Sequence, residues 1–283
     1  MINVNCPLCD SHLFEGDPCG ACHAPAMVIE SIIFRERTPR FVGVLGPSGV
    51  GKTVYLGMLL DMLSRGVGGL HGTGKGPFSL ALHRNTILAL ERQRFPEKTP
   101  TEADHWEWVH CEVTAGKKRQ VYDVVTPDVA GEAVQMELEH PRSNPTIRAL
   151  INRCAGLVVL ADILQVVADG QGQELFAMQL ISYLDSLRPV RRRGKVEVPV
   201  AVVFTKADLF GGAVRDPDAF ARANVPALWR LCGSRLKSFR FYCSGVAGST
   251  ARLIDRDGSE SLIPLRIEPR GVIEPFAWLL GQW

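Results

Sequence analysis

The stretch Gly43-Val-Leu-Gly-Pro-Ser-Gly-Val-Gly-Lys-Thr53, in letters GVLGPSGVGKT, decides the fold of this chain. Its residues 46–53 fit the pattern G-x-x-x-x-G-K-[ST]. Residues 41–45 read as a short buried strand, and residues 53–63 carry apolar side chains at helical spacing. Glycines let a loop between a strand and a helix turn its N–H groups toward a phosphate, beside the positive end of the helix dipole. The stretch therefore predicts a phosphate-binding loop.

Each residue of this loop has a predicted role. We expect the loop to contact the phosphates of a nucleotide through all of its residues: Gly46, Pro47, Ser48, Gly49, Val50, Gly51, Lys52 and Thr53. Lys52 would reach the terminal phosphates and take part in catalysis, and the Thr53 hydroxyl would bind Mg²⁺, which prefers oxygen ligands. The alternative is a chance glycine turn with a surface lysine, which leaves the flanking strand and helix unexplained.

The composition indicates a folded globular protein. Its 283 residues, 46% of them hydrophobic, are enough to bury a large core. The formal net charge of +2 argues against nucleic acid as the main partner, and the dense basic run at residues 188–195 reads as a solvated loop. The sequence has no bilayer-spanning stretch and no signal pattern, Ile2 excludes myristoylation, and the end at Trp283 has no cysteine for prenylation. We expect a cytoplasmic protein without a lipid anchor.

Four cysteines near the start of the chain predict a metal site. They form two C-x-x-C pairs: Cys6, Cys9, Cys19 and Cys22. This spacing is typical of a structural zinc ribbon, in which four thiolates fill a tetrahedral Zn²⁺ site and metal binding supplies much of the folding energy. Disulfides are the alternative, and His12 and His23 are nearby residues that we interpret as bystanders. The remaining cysteines read as small core residues: Cys111, Cys154, Cys232 and Cys243.

The rest of the chain alternates between predicted strands and helices. We divide it into a zinc ribbon at 1–26 and a main domain at 27–283 with a hairpin insertion at about 246–270, whose turn we place at Asp257 and Gly258. Residues 27–34 look β-prone, and the glycine-rich segment 66–76 is interpreted as a flexible connection. Other expected elements are helices at 79–94, 174–187, 218–231 (broken at Pro226) and 273–280, and strands at 105–113, 119–125, 156–161, 198–204 and 238–243. This order predicts an α/β fold with a doubly wound, mainly parallel sheet, whose ligands bind at the carboxyl ends of the strands.

A second motif, D-x-x-G, follows one of these strands. Asp128 ends the strand and is suited to holding Mg²⁺ through a water, and Gly131 can offer its N–H to a γ-phosphate. Asp123 is a rival metal ligand, but it lies in the middle of the strand. The alternative role for Gly131 is a turn at the start of a helix.

A third motif names the base. Thr205, Lys206 and Asp208 form T-K-x-D directly after an apolar strand. A buried aspartate at 208 can accept hydrogen bonds from N1–H and the exocyclic amine of guanine, whereas adenine offers neither donor in that geometry. Lys206 can lay its aliphatic stem over the base. As a lone tetrapeptide the motif could be a helix cap, but after a phosphate loop and a D-x-x-G it predicts a guanine site.

Together, GPSGVGKT, DVAGE and TKAD resemble the motifs of the Ras-like, translation-factor class of phosphate-loop GTPases, over residues 40–283. That class commonly has asparagine where this chain has Thr205, although Rho-type members carry threonine. Ser244 and Gly245 stand where the class places a backbone N–H near the guanine O6. The cysteine pairs, residues 95–99 and residues 274–280 are further similar to the bacterial double-GTPase group, which implies a role in prokaryotic regulatory or conflict systems.

This resemblance implies a mechanism. GTP would bind with Mg²⁺ held by Thr53, Asp128 and a threonine of the first switch, either Thr99 or Thr101. Ras-like enzymes often place a glutamine after D-x-x-G, and here Glu132 occupies that position. An ionised carboxylate accepts a proton from water but cannot donate one, so we expect slow hydrolysis without a partner. The sequence identifies no arginine finger.

Three functions follow from these motifs. The first is a GTPase switch with a protein effector or activator, and the second is a GTP-dependent binding module with negligible hydrolysis. The third is a phosphate-loop ATPase or nucleotide kinase. Whether a homodimer completes the site is left open by the sequence.

Overall fold

The computed structural model describes residues 4–14, 16–35, 38–116, 119–168, 171–188, 194–210, 214–254 and 260–283. Its strands are β1 Val4–Asn5, β2 His12–Leu13, β3 Arg40–Leu45, β4 His71–Lys75, β5 Trp108–Ala115, β6 Gln120–Pro127, β7 Gly156–Asp162, β8 Val200–Thr205, β9 Phe239–Cys243, β10 Gly245–Ile254 and β11 Glu260–Arg270. Its α-helices are α1 Ala26–Phe34, α2 Lys52–Ser64, α3 Gly76–Glu91, α4 Gly131–Glu139, α5 Pro145–Arg153, α6 Ile163–Ala168, α7 Gln171–Leu187, α8 Pro217–Asn224, α9 Pro226–Arg235 and α10 Ile273–Leu280.

The main sheet has seven strands in the order β4-β5-β6-β3-β7-β8-β9. Strands β6, β3, β7, β8 and β9 are parallel, and β4 and β5 extend the sheet in antiparallel pairing. This confirms the predicted doubly wound, mainly parallel fold. The carboxyl ends of β3, β7 and β8 lie side by side, so the loops that follow them meet at one edge of the sheet.

Both faces of this sheet are buried. Along β7, Leu157 and Val159 pack into the core on one face, and Val158 and Leu160 pack into the core on the other. Such a strand needs a continuous apolar run, which is why residues 156–161 show no polar alternation.

The segment predicted to be β-prone, residues 27–34, is the helix α1, so that prediction is wrong. Val28, Ile29 and Ile32 lie on one side of the helix and join the same core as ribbon residues such as Cys22. A helix buries these three side chains together, and this packing outweighs the β preference of isoleucine and valine.

The glycine-rich segment 66–76 is also ordered, contrary to the predicted flexible connection. It contains a 3₁₀ turn at Val67–Gly69 and the edge strand β4, paired with β5. A Cβ at Gly72 would lie 2.9 Å from the Leu63 side chain. Glycine at 72 thus lets β4 pack closely against α2. The glycine content of this segment reflects close packing rather than a flexible backbone.

The carboxyl-terminal part follows the predicted order. Helices α8 and α9 meet at Pro226, where a break was expected, and α10 has the predicted bounds. Strands β10 and β11 pair as an antiparallel hairpin from Gly245↔Arg270 to Ile254↔Glu260. The turn expected at Asp257 and Gly258 lies outside the described residues. In the described parts of the chain, no helix is long and apolar enough to cross a membrane.

Candidate functional site

The phosphate loop joins β3 to α2. Gly49 and Gly51 have φ angles of +71° and +97°, in the left-handed region that favours glycine, and Gly51 is the N-cap of α2. At Gly46 a Cβ would lie 2.7 Å from the carbonyl oxygen of Leu160, so this position has no room for a side chain. The loop conformation therefore depends on three of its glycines, for two different reasons.

Lys52 lies beneath this loop. Its side chain is buried, and Nζ donates hydrogen bonds to the carbonyl oxygens of Gly46 at 3.1 Å and Pro47 at 2.9 Å. Burial lowers the pKa of Lys52, while the charges of Asp128 and Glu132 raise it. A buried ammonium group whose hydrogen-bond partners are neutral carbonyls is well suited to binding an anionic phosphate.

Three oxygen ligands converge beside the loop. Asp128 Oδ2 accepts hydrogen bonds from Thr53 Oγ1 at 2.7 Å and Thr99 Oγ1 at 2.9 Å, and the two hydroxyls are 3.0 Å apart. Burial raises the pKa of Asp128, and the two hydroxyls lower it. Its Oδ1 is buried and has no hydrogen-bond partner among the described residues. Two hydroxyls and one carboxylate with an unpaired oxygen fit Mg²⁺, which takes oxygen ligands.

The residues that the sequence left as alternatives for this group lie in different places. Thr99 joins Thr53 and Asp128, whereas Thr101 is exposed on the following turn and does not line the cavity. The rival aspartate, Asp123, is buried in the middle of β6, where Oδ1 lies 2.9 Å from Nε2 of His110.

Gly131 begins α4 in contact with the phosphate loop. A Cβ there would lie 2.4 Å from the backbone nitrogen of Ser48. The next residue, Glu132, is exposed, and a hydrogen bond with Ser48 lowers its pKa, with further lowering by Lys52 and Lys98. Glu132 is therefore a carboxylate, not a carboxylic acid, beside the loop.

The T-K-x-D motif follows β8. The Thr205 hydroxyl donates to the carbonyl oxygens of Val50 at 2.9 Å and Ala161 at 3.2 Å, which ties β8 to the phosphate loop and to β7. Lys206 has a φ of +59°, and its Nζ lies 2.6 Å from Asp162 Oδ2. The Thr205 hydroxyl thus bonds to the backbone of the protein itself. The Lys206 ammonium group is held by Asp162.

Asp208 differs from the sequence expectation of a buried side chain, because it is exposed on the wall of a cavity. Its Oδ2 accepts a hydrogen bond from Ala247 N at 2.7 Å. Partial burial raises the pKa of the carboxyl, and backbone N–H donors such as that of Ala247 lower it. Because this carboxylate is exposed to the cavity, a ligand that offers further donors can bury it and add to its hydrogen bonds.

Ser244 and Gly245 pack against this aspartate. Ser244 is buried and its backbone bonds to Phe204 and Ala207, which fixes the loop after β9 next to the loop after β8. A Cβ at Gly245 would lie 2.6 Å from Asp208 Oδ1. Glycine is needed here because the carboxylate occupies the space of a side chain.

These groups surround one cavity of about 440 Å³, within the usual range for small-molecule sites. Its predicted lining residues are Ser48, Gly49, Val50, Gly51, Lys52, Thr53, Thr99, Gly131, Glu132, Thr205, Lys206, Asp208, Ser244 and Gly245. Three further predicted residues do not line the cavity but bond to residues that do. The carbonyl oxygens of Gly46 and Pro47 accept from Lys52, and Asp128 accepts from Thr53 and Thr99.

Sequence reasoning missed other residues of the cavity and its support. Leu164, Val246, Ala247 and Leu262 line the cavity, and Asp162 holds Lys206. Asp162 ends a buried parallel strand, and that position is a signal that could have found it. Leu262 has no such signal, because its place depends on the register of β10 and β11.

The four cysteines form a second site. Their Sγ atoms all lie within 4.8 Å of one another, with Cys6–Cys22 at 3.7 Å and Cys9–Cys19 at 3.5 Å. Four bonds of about 2.3 Å to a tetrahedral Zn²⁺ would place the sulfurs about 3.8 Å apart, whereas a disulfide needs about 2.05 Å. The cluster therefore fits zinc. His12 and His23 are not part of this group.

The two cysteine pairs lie on turns with the same backbone conformation. Asp10 N donates to Cys6 O and His23 N donates to Cys19 O, each at 2.8 Å. Asp10 and His23 have φ angles of +68° and +53°. Two equivalent turns thus present two pairs of thiols toward each other.

The geometry of this cavity agrees with comparisons to known proteins. A family model described as Double-GTPase 2 matches residues 40–242, more than half of the chain. The chain belongs to the Double-GTPase 2 family. The match covers the phosphate loop, the D-x-x-G and the T-K-x-D and ends just before Ser244, and the resemblance to phosphate-loop GTPases is thereby confirmed. No curated protein matches the chain.

Solved structures with a similar course of the chain include GTPases of several kinds. The Arl6 BBS3 small GTPase of Trypanosoma brucei, with a bound nucleotide analogue, is 14% identical with a TM-score of 0.45, over 86% of this chain and 96% of that one. The GTPase-like domain of Saccharomyces cerevisiae Ski7 is 13% identical with a TM-score of 0.44, over 89% and 52%. The Chaetomium thermophilum signal recognition particle receptor complex SRb-GTP/SRX is 18% identical with a TM-score of 0.37, over 74% of this chain and 91% of that one.

Proposed function

We propose that this member of the Double-GTPase 2 family is a guanine-nucleotide switch that binds GTP with Mg²⁺ and hydrolyses it slowly. The observation that carries the proposal is that Lys52 and Asp208 line the same cavity, although they lie far apart in the sequence. Lys52 suits a phosphate and Asp208 suits a base with two adjacent donors. A nucleotide is the small molecule that offers both.

The base preference rests on the acceptor character of Asp208. Guanine presents N1–H and an exocyclic amine side by side, and both can donate to one carboxylate. Adenine would leave the carboxylate without these donors, at a cost of about 1–3 kcal/mol or more for a desolvated charged group. Ser244 and Gly245, next to Asp208, would complete the base contacts, and the Lys206 stem lines the same cavity.

Thr53, Thr99 and Asp128 would hold Mg²⁺ together with the nucleotide. When bound, Mg²⁺ supplies positive charge that offsets the charge of the β- and γ-phosphates. Lys52 supplies a second positive charge, and Gly131 keeps its N–H at the phosphate loop because its lack of a side chain permits the contact. Loss of the γ-phosphate would remove the ligand that connects these residues, which is the basis of a switch.

Slow hydrolysis follows from Glu132. Its lowered pKa keeps it ionised at neutral pH, so it can accept a proton from water but cannot donate one. Its negative charge also lies near the place proposed for the γ-phosphate. We therefore propose that a protein activator raises the rate and that an effector reads the bound state.

The same ionised Glu132 favours a second candidate, a GTP-dependent binding module with negligible hydrolysis. In both candidates residues 1–26 form a Zn²⁺ ribbon that offers a surface to a protein partner, ahead of the nucleotide domain at 27–283. Reduced thiols suit the cytoplasm, where we place the protein. Release of phosphate from GTP by the purified chain distinguishes the switch from the module.

The proposal is tested by changing Asp208. In Asp208→Asn the amide N–H would face the guanine amine, so GDP should bind at least about a hundredfold more weakly. The same amide can donate to the second carbonyl of xanthine, so xanthosine diphosphate should bind better than to the wild type. Asp185→Asn, on the ion pair of Asp185 with Arg235 far along α7, is the matched control. Equal affinity of the wild type for ADP and GDP would support an ATPase or nucleotide kinase instead.

A further inference from the structure

The hairpin of β10 and β11 begins inside the proposed base site. Strand β10 starts at Gly245, directly after Ser244, and the hairpin lies outside the region 40–242 that the family model matches. Its residues therefore lie outside the part of the chain that the family model matches.

The base of the hairpin is fixed to elements of the nucleotide site on both sides. On the β10 side, Ala247 N donates to Asp208 Oδ2 at 2.7 Å. On the β11 side the chain returns through Gly271, where a Cβ would meet the carbonyl oxygen of Cys243. The Tyr55 hydroxyl of α2 then donates to Val272 O at 2.9 Å. Displacement of the base of the hairpin would consequently disturb Asp208 or α2.

Among the described residues of the distal hairpin, Leu262 reaches the cavity. Leu262 on β11 pairs with Arg252 on β10 and lines the cavity together with Val246 and Ala247. It is 38% exposed, so an apolar side chain covers part of the cavity wall with much of its surface in contact with solvent. Leu265 is 48% exposed on the same strand and does not line the cavity.

An apolar group at this place has a chemical use. A purine and its ribose have apolar faces, and burying them against a leucine removes apolar surface from water on both partners. Of the neighbouring recognition groups, Asp208 would direct the base by hydrogen bonds, whereas the Lys206 ammonium is paired with Asp162 and leaves its aliphatic stem for the base. The leucine would add affinity that does not depend on which donors the base carries.

We propose that the hairpin forms the outer wall of the guanine-nucleotide site and that Leu262 packs against the bound nucleoside. The inference deepens the proposed function and rests on it. It assigns binding to a residue outside the phosphate-loop, D-x-x-G and T-K-x-D motifs. It also makes nucleotide release depend on the hairpin, whose outer part carries exposed apolar side chains such as Leu253 and Ile254.

The experiment measures release of tritiated GDP from three proteins: wild type, Leu262→Ala and Leu265→Ala. The unmodified nucleotide avoids a bulky label near the hairpin. Leu262→Ala should release GDP about five- to twentyfold faster, as expected for the loss of a few buried methyl and methylene groups, and Leu265→Ala should match the wild type. Because both leucines are exposed, neither change removes a core residue, and thermal unfolding of the GDP-free proteins checks this.

The outcomes separate this inference from the proposed function. If the wild type retains GDP, Asp208→Asn loses it and Leu262→Ala releases it at the wild-type rate, the hairpin inference is wrong and the switch proposal stands. If the wild type binds no guanine nucleotide, the proposed function fails and the inference fails with it. Faster release from both leucine variants would overturn the specific assignment to Leu262.

Hydrogen exchange gives a second readout that needs no substitution. Addition of GDP should slow exchange of the backbone amides around Leu262 as well as those of the phosphate loop. Slower exchange in the phosphate loop alone would contradict contact between the hairpin and the nucleoside.

Discussion

Lys206 Nζ lies 2.6 Å from Oδ2 of Asp162, across the ends of the neighbouring strands β8 and β7. Asp162 is buried, and its other oxygen accepts the Leu164 N–H at 2.9 Å. Gln173 accepts the Asp162 N–H at 2.9 Å. One carboxylate therefore positions both Lys206 and Leu164, two of the residues that line the cavity.

Asp162→Asn should weaken GDP binding by about tenfold, or roughly 1.4 kcal/mol, because an amide has only one acceptor oxygen: with that oxygen on the Leu164 N–H, the NH₂ group faces Lys206 and the ion pair is lost. The amide oxygen can still accept from Leu164, so the start of α6 should persist. Equilibrium dialysis with GDP measures the effect, and Asp185→Asn serves as the control on a surface ion pair. An Asp162→Asn variant with wild-type affinity would contradict a positioning role.

Thr99 and Thr101 offer a test of the metal site within one short loop. Thr99→Ala should raise the Mg²⁺ concentration for half-maximal GTP hydrolysis about tenfold, because it removes a hydroxyl that joins Thr53 and Asp128. Thr101→Ala should behave as the wild type. Titration of Mg²⁺ in a phosphate-release assay compares the two, and a greater effect at 101 would move the metal ligand to that residue.

Glu132→Gln should accelerate hydrolysis. The amide can donate to a water or phosphate oxygen as well as accept, and it removes a negative charge from the neighbourhood of the γ-phosphate. We expect a rise of roughly five- to tenfold in the single-turnover rate, measured with GTP bound in advance so that affinity does not enter. Since Glu132 is exposed and glutamine can keep the contact with Ser48, the stability of the fold should change little. A slower variant would indicate that the carboxylate acts as a base.

The cysteine cluster should hold one zinc per chain. Cys9→Ser should lose the metal, and Cys243→Ser, outside the cluster, should retain it. Zinc loss should also lower the Tm, because Cys6, Cys19 and Cys22 share a core with α1 and the main sheet. Metal analysis and thermal unfolding measure both effects. Full zinc content in Cys9→Ser would rule out the four-thiolate site.

How far the sequence predicts this molecule depends on whether a feature is local. The phosphate loop is contiguous, and its glycines, lysine and threonine predict its conformation without knowledge of the rest of the chain. The ends of neighbouring parallel strands also meet by rule, which brings T-K-x-D and D-x-x-G to the loop. These features account for the confirmed fold.

Features that depend on packing were not predictable. The sequence of α1 looks β-prone because it is rich in isoleucine and valine. It forms a helix because Val28, Ile29 and Ile32 pack against core residues from other parts of the chain. Strand β4 reads as a flexible linker because only its contact with Leu63 explains glycine at 72. Leu262 enters the cavity through a hairpin register that contains bulges.

Glycine at 131 has a consequence for how this site can change. A side chain there would need the volume that the backbone of Ser48 occupies, so the two loops interlock. Neither can drift in evolution without the other, and a codon library at 131, selected for nucleotide retention, should return glycine alone. Neighbouring Glu132 lines the cavity but is exposed, so a substitution there can change the rate of hydrolysis without displacing the phosphate loop.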